Sequence, residues 1–120
     1  MDLKNIILNT AELGPVNWED VEKLQPNDDG YICFVSYTTE TKTDVDGESY
    51  EVLVGNYIQT NFTHKPTYKE MINYIVQQEY PDGKEAQMLR LGIYDPDNDE
   101  FLAYYDRVEE INEQIKALLK

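Results

Sequence analysis

The chain has 120 residues, of which 24 are acidic and 10 basic, for a formal charge of −14 at neutral pH. That length fits one ordinary domain burying roughly two thirds of the unfolded chain's surface, and it excludes a large multidomain enzyme. The acids are shared evenly between the two halves of the chain, so the whole molecule repels DNA, RNA and anionic bilayers, which leaves solubility, docking to a basic partner, or imitation of a phosphate backbone as uses for the charge.

Residues 1–14 read two ways. Leu3, Ile6, Ile7 and Leu13 partly suit a helix, whereas Ile6-Ile7-Leu8 suits a short strand. Neither a signal peptide nor a membrane span fits so brief an apolar run. Further on, Asn17 is placed to cap a helix with Asp20 at N3, and Val16 with Val21 occupies the positions of a hydrophobic staple. These features predict a helix over 18–24, ended by Pro26 and Asn27-Asp28-Asp29-Gly30. From Tyr31 to Thr43 the chain alternates, with Tyr31, Cys33, Val35 and Tyr37 on one face and Ile32, Phe34 and Ser36 on the other. Asp44-Val45-Asp46-Gly47-Glu48 supplies a turn, and the chain returns through Tyr50, Val52, Val54 and Ile58, with Leu53 and Tyr57 opposite. This is the clearest hairpin signal in the sequence, and its polar tip is expected to project into water.

After Pro66, Thr67-Tyr68-Lys69-Glu70 forms a capping box, and Tyr68, Met71, Ile72, Ile75 and Val76 follow at helical spacing. Pro81-Asp82-Gly83 terminates that helix. Met88, Leu89, Leu91, Ile93 and Tyr94 predict a strand, Pro96-Asp97-Asn98 a tight connection, and Phe101 to Tyr105 a second strand. Asp106 and Glu109 then repeat the cap pattern ahead of a stripe of Val108, Ile111, Ile115, Leu118 and Leu119. The expected fold is a single α+β domain over residues 1–120: a small, mostly antiparallel sheet of two β-hairpins covered by two or three helices.

No catalytic motif emerges. Ser36 and Ser49 lack a nucleophile elbow, and the only histidine, His64, precedes Lys65-Pro66 with no nucleophile and orienting carboxylate assigned to it. Cys33, the only cysteine, reads as a buried thiol within Tyr31-Ile32-Cys33-Phe34-Val35, and a solitary cysteine suits a reducing compartment, the cytoplasm. Asp95, Asp97 and Asp99 on an expected turn resemble a collecting point for a divalent cation. A calcium loop of the EF-hand kind needs glycine at its sixth position, however, where this sequence has Glu100, so an acidic hairpin turn is the plainer reading. Gly55-Asn56-Tyr57 and Asp82-Gly83-Lys84 match neither a phosphate loop nor a dinucleotide fingerprint. No metal, cofactor or small-molecule substrate is therefore expected.

The ten tyrosines offer more. Tyrosine joins a rigid apolar ring to a hydroxyl and suits half-wet protein interfaces. Tyr31, Tyr37, Tyr50 and Tyr57 fall in the first expected hairpin, and Tyr94, Tyr104 and Tyr105 around the second. Tyr37, Tyr50, Tyr57 and Tyr104 are the expected interface residues.

Val54-Gly55-Asn56-Tyr57-Ile58, followed by Thr63-His64-Lys65-Pro66-Thr67 and a helix containing Glu70, resembles small uncharacterised proteins of phages and prophages of gut Bacteroidetes. The resemblance covers residues 31–76 and implies a virion-assembly or tail-associated role, with no chemistry attached to it. The expected function is thus a non-enzymatic structural or protein-interaction protein, docking a basic protein partner or a second copy of itself, with no direct contact to nucleic acid or membrane. It is cytoplasmic, or assembled into a virion. The competing expectation is an acidic decoy that occupies a DNA- or RNA-binding protein of the host, which requires the carboxylates to line one face at phosphate-like spacing.

Overall fold

The computed structural model describes residues 3–119. The chain is α+β, with a four-stranded antiparallel sheet and three α-helices, and it divides into two compact units. One unit is Ile7–Lys65; the other comprises residues 66–119 together with residues 3–6.

The first unit holds the sheet: β1 (Asn9–Gly14), β2 (Leu24–Asn27), β3 (Gly30–Thr43) and β4 (Ser49–Gln59), in the order β1-β4-β3-β2. Two hairpins are present, and one is the expected pair of β3 and β4. The other is β2 with β3, turned by Asp28-Asp29, where the Asp29 amide donates to Asn27 Oδ1 at 3.1 Å. Pro26 has no amide to give a ladder and accordingly sits on an edge strand, opposite Tyr31. The helix expected over 18–24 is absent. A single 3-10 turn, Trp18–Asp20, stands there, Asn17 makes no side-chain cap, and β2 begins at Leu24. The first strand starts at Asn9, just past Ile6-Ile7-Leu8.

The register of β3 on β4 shifts between Phe34 and Ser36. Phe34 pairs with Tyr57, Val35 is the extra residue of a bulge, Ser36 pairs with Asn56 and Tyr37 with Gly55. A side chain shares its face with its cross-strand partner, so the bulge reverses the alternation. Tyr37 and Thr39 therefore lie on the face of Phe34, not on that of Cys33 as uninterrupted alternation predicts. Gly55 is required beneath this face: a Cβ there would come within 2.5 Å of the Phe34 ring. Cys33, Phe34, Val35, Val52, Leu53 and Ile58 are buried, whereas residues 43–51 at the hairpin tip are exposed.

The second unit contains α1 (Tyr68–Glu79), α2 (Lys84–Tyr94) and α3 (Asp99–Leu118). The capping box of α1 forms as expected. The Glu70 amide donates to Thr67 Oγ1 at 3.2 Å and the Thr67 amide donates to Glu70 Oε1 at 3.1 Å. Met71, Ile72, Ile75 and Val76 are buried, and Tyr68 is exposed at the first turn. The strands expected at 88–94 and 101–105 are both helical. Asn98 caps α3, accepting from the Glu100 amide at 2.9 Å and the Phe101 amide at 3.3 Å, so the helix begins well before Asp106. Asp95 and Asp97 accordingly belong to an interhelical connection and Asp99 opens α3, so none of the three stands on a hairpin turn. The two helices approach closely: a Cβ on Gly92 would meet the Phe101 ring at 2.2 Å. Arg107 of α3 holds Glu79 of α1 by two bonds of 2.8 Å, with 3% of the glutamate side chain exposed.

Candidate functional site

In the sheet unit, an open cleft of about 630 Å³ lies against the distal part of the β3–β4 ribbon. Residues 15–20 line it together with Tyr37 and Thr39 of β3 and Glu51, Val52 and Leu53 of β4. Local sequence builds its wall. The 3-10 turn is closed by the Asp20 amide donating to the Asn17 carbonyl at 3.0 Å and the Val21 amide donating to that of Trp18 at 3.1 Å. The Lys23 ammonium then donates to the carbonyls of Trp18 (2.6 Å), which opens that turn, and Val21 (2.7 Å), its C-cap. The same ammonium stands 4.3 Å from the centre of the Trp18 ring, a cation–π contact. Trp18 in turn packs on Tyr37, with ring centres 5.0 Å apart and planes inclined by 30°.

Tyr37 keeps 46% of its surface exposed despite that contact. Glu19, Asp20 and Glu51 add three carboxylates to the cleft lining. An aromatic pair beside several carboxylates offers apolar area and negative potential together, which suits a basic side chain on another protein. Among the described residues, no three His, Cys, Asp or Glu side chains are placed to hold one metal ion.

The expected interface tyrosines are not brought onto one surface. Tyr50 is also 46% exposed, but it pairs with Lys42, on the face opposite to Tyr37. Tyr57 is half-buried and packs edge-on against Phe34, with ring centres 5.5 Å apart. Tyr104 is corrected outright as a surface residue. Only 5% of it is exposed, its ring lies edge-on to Tyr80, and its hydroxyl donates to Glu85 Oε2 at 2.6 Å. Burial first, then that hydrogen bond and the Glu85 charge, push its ionisation well above the ordinary tyrosine range. Trp18 is the cleft residue that sequence reasoning passed over as part of a helix start. Its signal was available: a lone tryptophan ahead of Lys23, followed directly by Glu19 and Asp20, is an amphipathic anchor.

The residue types weighed for catalysis have other occupations. Cys33 is fully buried, and burial pushes its thiol up to about 12. Ser36 Oγ accepts from Asn56 Nδ2 at 3.0 Å. His64 is exposed and its ring packs edge-on against Phe62. A second, smaller cleft of about 490 Å³ lies in the helical unit, lined by Lys84, Gln87, Met88, Leu91, Tyr94 and Glu100. Among the described residues, no helix is long and apolar enough to cross a membrane. No protein-family model, curated protein or solved structure matches the chain.

Proposed function

We propose that this is a non-enzymatic protein-interaction protein that docks a basic partner through the cleft at Trp18 and Tyr37. One observation carries the reading: Tyr37 is stacked and held in place yet half its surface stays open to solvent, beside Glu19, Asp20 and Glu51. A preorganised aromatic ring loses little entropy on being covered, while surrounding carboxylates select the sign of the partner and raise its encounter rate. Tyr50 on the opposite face is a second exposed ring for the same partner or for self-association. Virion or tail assembly, the role implied by the resemblance of residues 31–76, is the proposed setting.

The test is capture of partners from the native host at low and high salt, comparing the natural chain with Tyr37→Ser and reading the solution mass of each. The expected result is a defined complex, with virion or tail proteins in the phage setting, that survives moderate salt and is lost with Tyr37→Ser. A complex indifferent to Tyr37→Ser but dissolved by salt would instead favour the acidic decoy. No complex and no self-association at either ionic strength would sink the docking account.

A further inference from the structure

Beyond Phe34, whose amide donates to the Lys23 carbonyl at 2.8 Å, β3 runs on to Thr43 with β4 on one side of it. Among the described residues, no other backbone group pairs with β3 from Thr38 to Thr43. The outer edge of that stretch therefore presents peptide N–H and C=O groups to water at alternate positions, the arrangement that accepts an added strand. Resting on the docking reading above, we infer that this edge binds an extended segment of the partner as a further strand of the sheet, and that the segment alternates basic with apolar residues.

The chemistry of the two faces dictates that alternation. Glu40 lies on one face with Thr38 and Lys42, whose ammonium pairs with the Glu40 carboxylate at 3.7 Å, whereas Thr39 and Thr41 lie on the other with Glu51, which leads back to Tyr37 and the acidic cleft. A strand laid along the edge thus sets its basic side chains on the face of Glu51 and the acidic cleft, and its apolar ones beside Thr38 and the already paired Glu40. Asp44, Asp46, Glu48 and Glu51 surround the ribbon's end, and Lys42 is the single base from Thr38 to Glu51. A second copy of this chain is the disfavoured occupant, because it brings the same negative ribbon and the same charge of −14.

The probe is a capped synthetic peptide alternating arginine and valine. It is compared with its glutamate–valine counterpart and with a version N-methylated at every second amide, which keeps the side chains but removes ladder donors. Binding is read from the fluorescence of Trp18, the only tryptophan, and from amide hydrogen exchange. Strand addition predicts that the arginine peptide slows exchange at alternate amides from Thr38 to Thr43. N-methylation or Glu51→Lys should weaken binding, the former by at least about tenfold, and the glutamate peptide should not bind. Arginine-peptide binding that leaves those amides unprotected, or that ignores N-methylation, overturns strand addition while leaving protein docking intact. Protection of those amides without any peptide, at a doubled solution mass, overturns it in favour of a second copy. If no basic peptide binds and Tyr37→Ser leaves every association unchanged, the docking reading falls as well.

Discussion

Tyr104 shows how one residue can move from an expected surface role to a structural one. Its hydroxyl keeps a hydrogen bond to a carboxylate inside the helical unit, while Tyr80 flanks its ring. Replacing it with phenylalanine should cost about 1.5–3 kcal/mol near neutral pH, the range for a bond to a charged acceptor, measured by urea unfolding. The pH dependence has a definite sign. In the folded chain the phenol stays protonated above its ordinary value of 10.0, so its stabilisation is complete below that pH and is lost as pH rises further, where the unfolded chain ionises first. The advantage of the natural chain over Tyr104→Phe should therefore shrink above about pH 10. The buried Glu79–Arg107 pair is a contrasting case. Its two bonds replace lost hydration, so its presence speaks for a fixed α1–α3 geometry more than for net stability.

Elements differ in how far their own residues specify them. The β3–β4 hairpin and the α1 capping box were legible because strand alternation, a turn and a Thr-x-x-Glu cap are local signals. Helices α2 and α3 were misread for an equally physical reason. Met88, Leu89, Leu91, Ile93 and Tyr94 are dense enough in apolar residues to suit a half-buried strand, yet only Met88 is buried. Lys84, Glu85, Ala86 and Gln87 ahead of them favour helix, and Glu85, Met88 and Gly92 fall at helical spacing. For α3, Phe101, Tyr104, Val108, Ile111 and Ile115 continue one helical stripe, and Asn98 was the overlooked cap. Asn98→Ala should cost about 1 kcal/mol in urea unfolding and speed hydrogen exchange at the Glu100 and Phe101 amides, as an N-cap deletion does. Unchanged exchange there would contradict the cap's role.

At the scale of the molecule, the dominant quantity is the charge of −14. Self-repulsion of that size opposes any compact state and is screened by salt. Raising sodium chloride from about 0.02 M to about 0.5 M should increase the melting temperature by several degrees, because the Debye length contracts well below the size of the protein. Calorimetry at the two concentrations checks this, and a fall in melting temperature would mean that attractive ion pairs outweigh the repulsion. The same charge biases association toward basic partners and gives the proposed docking a measurable salt dependence.

The amino-acid order by itself determined the acidity, the α+β character, the long hairpin and the capped α1, since each depends on composition or on neighbours a few positions apart. Only the tertiary structure decided which tyrosines face water. Tyr104 is withdrawn by a partner nineteen positions away in the chain, and Tyr37 meets Trp18 because a bulge at Val35 turns it to that face. A bulge is a property of two strands held in register, and no single stretch of sequence contains both.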